Sequence, residues 1–556
     1  MHNYFYKEFA LKTSTILRGI LSYWALNTIM APAWADDKTA PAPITKTCDP
    51  YANYACLDAY LGQNFISRFW NYYPLELGHA TAPTEPHTPS AHRDGWPATP
   101  ESTPPMPFTE WPHGATTPLG VSRANAVDSP LMNAMGNTAT GLWMQNHHIQ
   151  VYGWLSAGAN ISTNSVKPGG NAPMAYMYTP NKVQLDQLVL YVERVPDTVQ
   201  TEHTDWGFRL SGLYGENYRY TSAYGIASYQ LLQNNAVYGY DFPMVYGELY
   251  LPHVAEGLLL RLGRYIAIPD IEAQLAPNNY MYSHSMTYTF DNYTNEGLVS
   301  SLAVTNNLLL QLGLVEGTDT AIWNAGKKVH NPSPNPLYPG ATFLKDPGAQ
   351  PSVVACARYV WNNGKDTVYP CMNGINNGVW GYNNLQWYGF TYYHKFNDQW
   401  HLSYEIYTLH QNHVANLNNP IAAAAIAAGG TPFSPQSIPF NAPNGAQCTN
   451  PADLSCTATA IGTVLYLNYQ FSALDNISFR PEFYNDQQGQ HTGTKNRYLN
   501  FGLGWQHWLS PQIELRPEID CDYALDNDAF NGNANAGISP NKRYTVLGAI
   551  DIILHF

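Results

Sequence analysis

Charged residues occupy every second position in two segments near the end of the sequence. The first segment contains Arg480-Pro481-Glu482, and the second repeats the pattern as Arg516-Pro517-Glu518, followed by Asp520 and Asp522. In an extended strand alternate residues lie on the same face, so each segment would have one charged face and one apolar face. Opposed acidic and basic side chains attract and orient charged or dipolar solutes without making or breaking a bond.

Further charged residues take equivalent positions in other alternating segments. The candidates for one charged inner surface are Arg209, Glu248, Arg261, Glu405, Arg480, Glu482, Glu514, Arg516, Glu518, Asp520, Asp522 and Asp551. This set contains four arginines against eight acids. An acidic excess of this kind favours cations, so we expect a mild cation preference wherever these residues line a pore.

The sequence gives little indication of enzyme catalysis. The sequence offers no context of the GxSxG, HExxH or SxxK type that would place a catalytic group, and no P-loop, dinucleotide fingerprint or EF-hand is recognisable. His147-His148 is predicted to begin a strand rather than to bind a metal. We therefore expect no enzyme activity, no cofactor and no metal. The net charge of −14 argues against nucleic acid as a partner.

An alternation with a period of two dominates the sequence from about residue 145 onward. It is clearest in the last segment, where Val546, Gly548, Ile550 and Ile552 share one face. Segments of about ten such residues are typical of transmembrane β-strands, although strands of a soluble β-sandwich also alternate. With 12 % charged and 45 % hydrophobic residues, the composition fits strands with one apolar and one polar face.

The lengths of the connections separate these two folds. We predict fourteen strands, at 147–158, 183–195, 204–218, 242–252, 257–266, 294–304, 307–316, 384–396, 399–411, 461–471, 476–487, 496–508, 511–523 and 542–556. Short and long connections alternate, as in outer-membrane barrels with tight periplasmic turns and long external loops, whereas such long loops are uncommon in compact soluble domains. The predicted fold is therefore all-β, a transmembrane antiparallel β-barrel of about fourteen strands, or sixteen if a hairpin lies within 317–383.

Two prolines oppose this assignment. Pro481 and Pro517 fall in the middle of predicted strands, where a proline removes a hydrogen bond of the ladder. We therefore expect local bulges there, or strands that end earlier.

The connection 267–293 carries acids and tyrosines that could narrow a pore. Asp270, Glu272, Tyr280 and Tyr282 are the candidates for a constriction loop, accompanied by His284 and Asp291. Two arrangements are equally compatible with the sequence. The connection folds into the barrel as a constriction, or it is an ordinary external loop.

The first 140 residues differ from the rest of the chain. Residues 1–35 have basic residues, an apolar stretch and the small-x-small pattern Ala33-Trp34-Ala35, which predicts a signal peptide. Residues 36–140 are predicted to be a periplasmic segment with a short amphipathic helix from Cys56 to about Tyr73 and a Pro-rich linker from Thr81 to Pro118. Residues 141–556 would form the barrel.

Six of the seven cysteines fall in near pairs. The pairs are Cys48/Cys56, Cys356/Cys371 and Cys448/Cys456, each closing a short loop. In an exported chain these spacings predict three local disulfides. Cys521, inside an alternating segment, is predicted to be an unpaired strand residue.

The chain ends in Phe556, an aromatic residue that closes the last apolar row. We interpret it as the insertion signal read by the outer-membrane assembly machinery. A soluble fold leaves this terminal row unexplained.

Several segments resemble the β-barrel porin-2 family of outer-membrane proteins. The resemblance covers roughly residues 140–556 and rests on YGWLSAGANIST (152–163), QLDQLVLYVERVPDT (184–198), DWGFRLSGLYGENYRY (205–220), FPMVYGELYLP (242–252), GLLLRLGRYIAIPDIEAQLAPNNYMYSHS (257–285) and the FRPEFYND and LRPEI segments. It implies an outer-membrane porin of a Gram-negative bacterium and supplies no catalytic residues.

Together these features predict passive or weakly selective diffusion of small hydrophilic solutes through the barrel. The alternative is a sealed structural or adhesive barrel that presents its long external loops to partners. The expected partners are outer-membrane lipid, the outer-membrane assembly machinery and small hydrophilic solutes, and a homo-oligomer is one option for its assembly.

Overall fold

The structure of the chain is a computed structural model that describes most of the region after residue 128. The described residues are 59–76, 129–318, 351–376, 385–427 and 445–556, apart from gaps at 168–169, 175, 199, 223–229, 231–235, 269, 398, 473, 511 and 534–537. The expected signal peptide, the Cys48/Cys56 pair and the Pro-rich linker lie outside these residues.

Sixteen antiparallel strands form the barrel. The sheet has seventeen strand segments, but the two short segments Gly239–Asp241 and Val245–Leu251 pair with the same neighbour and make up one interrupted strand. The strands are β1 (Ile149–Ser162), β2 (Val183–Arg194), β3 (Asp205–Gly215), β4 (Gly239–Asp241 with Val245–Leu251), β5 (Leu258–Ile266), β6 (Thr294–Ala303), β7 (Leu308–Val315), β8 (Ser352–Trp361), β9 (Asp366–Ile375), β10 (Gln386–Lys395), β11 (Trp400–Ala415), β12 (Ser455–Ser472), β13 (Asp475–Asp486), β14 (Asn496–Ser510), β15 (Ile513–Ala524) and β16 (Tyr544–His555).

The sheet closes on itself through its first and last strands. Each strand pairs with the next one in the chain, and β1 also pairs with β16, with Trp154 opposite His555 and Ser162 opposite Leu547. Closure leaves no row of unpaired backbone groups at an edge. Short turns join the strands at the end where β1 starts, and long connections lie at the other end.

The main expectation of fourteen strands is wrong, and the alternative of sixteen is correct. The missing hairpin is β8–β9, which lies inside the stretch 317–383. Its alternation is hidden because β8 contains consecutive apolar residues at Val353-Val354 and Val360-Trp361, and because β9 carries Pro370 in its middle.

The two mid-strand prolines cause neither bulges nor early strand ends, contrary to our expectation. Pro481 stands opposite Phe501 in an uninterrupted β13–β14 register, and Pro517 stands opposite Ile550 in an uninterrupted β15–β16 register. Each strand also keeps its register with the neighbour on its other side, where pairing skips the proline and resumes beyond it. A proline therefore interrupts the ladder on one side without moving the strand.

The two faces of the strands differ in burial. Outward-facing apolar side chains are exposed, as in Leu262 at 64 % and Leu312 at 62 %. The inward-facing side chains of the described strands are almost all buried, and many of them are polar or charged. The barrel thus has an apolar exterior and a polar, closely packed interior.

Short helices precede the barrel and lie in its connections. They are α1 (Phe65–Glu76), α2 (Pro130–Met135), α3 (Ala139–Asn146), α4 (Tyr218–Thr221), α5 (Met286–Thr289) and α6 (Pro420–Ala427). The α1 helix overlaps the predicted helix, and its Tyr73 hydroxyl donates to the His555 carbonyl at 2.8 Å. Among the described helices, none has the length and apolar character needed to cross a membrane.

Candidate functional site: a loop inside the barrel

Residues 267–293, which we call the inner loop, lie inside the barrel. The loop leaves the end of β5 and returns to β6, and its described residues are buried except Asp270, which is partly exposed. It contains a short 3-10 turn at Ala276–Asn278 and the helix α5. Because a buried backbone needs hydrogen-bond partners, the surrounding wall must supply donors and acceptors.

Carboxylates on three alternate strands supply the acceptors. They project inward from β11, β13 and β15 and accept hydrogen bonds from backbone N–H groups of the inner loop. Glu405 accepts from Ile271 N (2.9 Å), Glu482 from Met286 N (3.0 Å) and Thr287 N (2.5 Å), and Glu518 from Tyr282 N (3.0 Å) and Ser283 N (3.0 Å). Hydrogen bonds to a carboxylate are stronger than those between neutral groups, so this wall holds the loop firmly.

Arg480 joins the inner loop to two strands at once. Its guanidinium donates to the carbonyl and the hydroxyl of Ser283, both at 2.8 Å, and pairs with Asp520 on β15 at 2.9 Å. Glu272 of the loop lies 3.5 Å from the same guanidinium and also accepts from the Tyr466 hydroxyl at 2.6 Å. One arginine thus fixes both the backbone and an acid of the loop.

Arg516 makes the corresponding contacts with the 3-10 turn. It donates to the carbonyls of Ala276 (2.6 Å) and Asn279 (2.9 Å), and its other nitrogens bind Asp551 on β16 at 2.6 and 3.0 Å. Both copies of the Arg-Pro-Glu sequence therefore make the same contacts with the inner loop. The arginine donates to loop oxygens, and the glutamate accepts from loop N–H groups.

The charged residues on β2 to β5, which we call the pairing wall, bind each other instead. The pairs are Arg209–Glu193 (2.7 Å), Arg261–Glu248 (2.7 Å) and Arg264–Asp241 (2.9 Å). The partners of the first two pairs face each other directly across adjacent strands. Their charges cancel within the wall.

Glycines on the wall make room for the loop. A Cβ atom at Gly158 would lie 2.1 Å from the Tyr282 hydroxyl, and one at Gly504 would lie 2.7 Å from Cγ of Met281. Larger residues at these positions would collide with the loop as it stands.

All twelve candidates for the charged inner surface face the interior, and all are buried. Five of them contact the inner loop directly: Glu405, Glu482, Glu518, Arg480 and Arg516. The others pair with neighbouring side chains: Asp520 with Arg480, Arg209 with Glu193, Glu248 with Arg261, and Glu514 with Gln506. Asp522 accepts from Asn500, and Asp551 binds Arg516. Contact with a solute stays a prediction for these residues.

The four constriction-loop candidates all lie in the inner loop. Asp270 is near its start and Glu272 is bound by Arg480. The Tyr280 hydroxyl lies 3.0 Å from Nε2 of His401, and the Tyr282 hydroxyl donates to the Tyr176 carbonyl at 3.3 Å.

Sequence reasoning missed several partners of these residues. Glu193 and Asp241 each neutralise an arginine, and Tyr466 donates to Glu272. Glu193 lies in the alternating segment of β2, so the same periodicity could have identified it. Asp241 could not be found in this way, because β4 is interrupted just after it.

Burial shifts the pKa of several groups in the inner loop, among them His284 and Asp270. Burial lowers the pKa of His284 to about 3, so the imidazole is neutral at pH 7, with Nε2 placed 2.7 Å from the Ala273 carbonyl. Burial raises the pKa of Asp270 well above its usual value, and the adjacent carboxylates Asp291 and Glu405 raise it further.

The five cysteines that the structure describes and the C-terminus lie in or beside the barrel wall. Cys356 and Cys371 face each other across β8 and β9 at bonding distance, and Cys448 and Cys456 also lie at bonding distance. The first pair thus lies in a hairpin rather than in a loop. Cys521 is exposed and free. Phe556 exchanges two backbone hydrogen bonds with Gly153 on β1 (2.8 and 2.9 Å).

The comparison with protein families gives one match, which covers the whole barrel. The family described as "Putative beta-barrel porin-2, OmpL-like" matches residues 148–556. No curated protein is recognisably similar to the chain in sequence.

Solved structures of porins resemble the chain distantly. An anion-selective porin from Comamonas acidovorans is 10 % identical, with 73 % of this chain and 99 % of that chain covered and a TM-score of 0.40. OprB of Pseudomonas putida is 10 % identical, with 76 % and 97 % covered and a TM-score of 0.41. The outer-membrane channel DcaP of Acinetobacter baumannii is 8 % identical, with 73 % and 97 % covered and a TM-score of 0.39. Similarities this distant carry no argument about what this chain transports.

Proposed function

Because the chain belongs to the porin-2 family of β-barrels and lies in the bacterial outer membrane, we propose that it passes small hydrophilic solutes by passive diffusion through a conduit narrowed by the inner loop. The proposal includes no catalysis and no cofactor for this transport. Solutes would move down their own gradient.

The position of the inner loop carries this proposal. It is fastened inside the barrel by Glu405, Glu482, Glu518, Arg480 and Arg516 rather than lying over the mouth. A loop held by several charge-assisted hydrogen bonds is fixed in place. It therefore defines the narrowest part of the path and favours small solutes.

We further propose a mild preference for cations. Among the described residues, buried carboxylates outnumber buried arginines, and no lysine is buried. Arginines such as Arg209 and Arg261 have their charge cancelled by a partner. The net field inside the barrel is therefore negative, which favours cations.

The same proposal covers the remaining features predicted from the sequence. Residues 1–35 would direct export, 36–140 would be periplasmic, and Phe556 would be read by the assembly machinery. The Cys356–Cys371 and Cys448–Cys456 pairs would be disulfides in this oxidising location. Lipid would contact the exposed apolar face, and the assembly would be a monomer or a homo-oligomer.

One observation favours a second candidate, a sealed barrel that presents its long loops to partners. The described inward-facing side chains are buried almost throughout, on the pairing wall as well as beneath the inner loop. A wide aqueous lumen would leave such side chains exposed to water. The conduit is therefore narrow under the first proposal and absent under the second.

Single-channel current distinguishes the two candidates. The refolded protein without residues 1–35 is placed in a planar bilayer with a salt gradient across it. We expect small steps and a reversal potential of the cation-selective sign. The anion-selective sign would refute the cation preference, and insertion without current would favour the sealed barrel.

A double variant tests the role of the loop. Glu482→Ala with Glu518→Ala removes the acceptors for four loop N–H groups, so the loop should leave the wall and the step size should increase at least twofold. Glu202→Ala, an exposed acid in the β2–β3 turn, is the control and should leave the steps unchanged.

A further inference from the structure

Three carboxylates meet where the inner loop enters and leaves the barrel interior. Asp270 is near the start of the loop, Asp291 is near its end, and Glu405 projects from β11. One carboxylate oxygen from each residue lies within 4.8 Å of the other two. Asp291 and Glu405 are buried, with 1 % and 2 % of their surface exposed.

The oxygen atoms of this group are incompletely used by the protein. Glu405 accepts from Ile271 N through Oε2, but its Oε1 is buried without a hydrogen-bond partner, and so is Oδ1 of Asp270. Among the described residues, no arginine, lysine or histidine forms an ion pair with Asp270 or Glu405. Glu272, in the same loop, differs in having both Arg480 and Tyr466 as partners.

A second buried oxygen points to the same place. The Tyr288 hydroxyl, on helix α5 of the loop, is buried without a hydrogen-bond partner. It interacts electrostatically with Asp270 and Asp291. The Asp291 N–H donates to the Tyr288 carbonyl at 3.2 Å, so the two residues belong to the same turn of the inner loop.

Buried charges require a counter-charge, because taking an ion out of water costs several kcal/mol. Three carboxylates this close together must either take up protons or bind a cation. Carboxylate and hydroxyl oxygens without histidine or cysteine are the ligands of hard cations, and Ca²⁺ accepts the irregular geometry of such a group better than Mg²⁺ does.

We infer that Asp270, Asp291 and Glu405 form a binding site for a hard divalent cation, with Ca²⁺ as the preferred ion. The ion would join both ends of the inner loop to β11 and would keep the loop in place. Without it, repulsion among the three acids would loosen the loop from the wall. This inference does not require the barrel to conduct, so it stands or falls separately from the proposed function.

Terbium luminescence tests the site directly. Tb³⁺ replaces Ca²⁺ at oxygen sites and emits when a nearby tyrosine is excited, and Tyr288 provides that tyrosine. The protein is refolded in detergent free of lipopolysaccharide and treated with a chelator. We expect saturable emission on addition of Tb³⁺, displacement by Ca²⁺, and a Ca²⁺-dependent rise in the unfolding temperature.

Three variants assign the signal to this group. Glu405→Gln and Asp291→Asn keep the shape of the side chain and should weaken Ca²⁺ binding at least tenfold. Glu202→Gln is the control, because Glu202 is an exposed acid in the β2–β3 turn and contributes nothing to the three carboxylates. It should bind Ca²⁺ like the wild type. If Glu405→Gln does not fold, Asp291→Asn, which changes the loop alone, decides the question.

Three results would overturn the inference. The first is the absence of saturable binding to the folded wild type, which means that protons neutralise the acids. The second is unchanged binding in Glu405→Gln and Asp291→Asn, which places the ion at surface acids. The third is an equal loss in Glu202→Gln, which means that binding follows the overall negative charge of the protein and not these ligands.

Discussion

The two parts of the barrel wall use the same residue types for different purposes. On β2 to β5, arginines and acids of neighbouring strands pair with each other, as Arg261 does with Glu248. On β11 to β16, arginines and acids bind the inner loop, as Arg480 and Glu482 do. The first arrangement stabilises the wall, and its paired charges produce little electrostatic field inside the barrel. The second holds the inner loop inside the barrel and places negative charge beside it.

The largest effect on stability and conductance should come from Arg480→Met on β13. This strand belongs to the part of the wall, β11 to β16, that binds the inner loop. The substitution leaves Asp520 buried and unpaired and removes both hydrogen bonds to Ser283, so we expect a loss of about 5 kcal/mol of unfolding free energy. Single-channel conductance should rise as well, because the loop is released. Urea unfolding in lipid vesicles and bilayer recordings measure the two effects. Lower stability with unchanged conductance would contradict a constricting role for the loop.

Arg261→Met on the pairing wall should lower the unfolding free energy less than Arg480→Met does, and it should leave the conductance unchanged. It leaves Glu248 buried without its ion-pair partner, at a cost of about 3 kcal/mol, and the bond that it removes lies within the wall. The double variant Arg261→Met with Glu248→Met should recover most of that loss in the same urea assay, since apolar partners tolerate burial. A conductance change in the single variant would mean that the two walls do not act independently.

Gly504→Ala should lower the unfolding free energy moderately, because the added methyl group collides only with the inner loop. The new methyl group meets Met281 at 2.7 Å, and overpacking of this kind costs about 1–2 kcal/mol. Gly548→Ala is the control, because a Cβ atom there has nothing within 4 Å. Equal unfolding midpoints for the two variants would show that the loop yields to the added group without cost.

The smallest effect should come from the exposed pair Arg497–Asp526, which joins the start of β14 to the β15–β16 connection at 2.6 Å. Hydrogen bonds from Arg497 lower the pKa of Asp526. A lowered folded-state pKa gives stability that is present above the unfolded value and is lost as pH falls through the folded value. Asp526→Asn should therefore be slightly less stable than the wild type at pH 7, and this difference should disappear as the pH falls through the lowered folded-state pKa of Asp526. A difference that persists in acid would exclude this ion pair as its source.

The strands of the second half of the barrel were predictable because each has one apolar and one polar face, as in Ile513–Ala524. The β8–β9 hairpin was not, because Val353-Val354 places apolar side chains on both faces. The Arg-Pro-Glu residues were correctly placed on the inner face. Their binding to the inner loop was not predictable, because it depends on the register of strands far apart in sequence and on how deeply the loop enters. Alternation gives the face of Glu482 but not the identity of its partner.

The packed interior also determines how such a barrel can diverge in evolution. Outward positions such as Leu262 and Leu312 are apolar and exposed. A lipid surface would accept any apolar shape there, so we expect single substitutions at these positions to be nearly neutral. Inward positions such as Arg516 and Asp551 are matched in charge and shape, so one cannot change without the other. We therefore expect relatives to exchange outward residues one at a time and inward residues in compensating pairs, the reverse of the drift in a water-soluble protein, where the polar face is the permissive one.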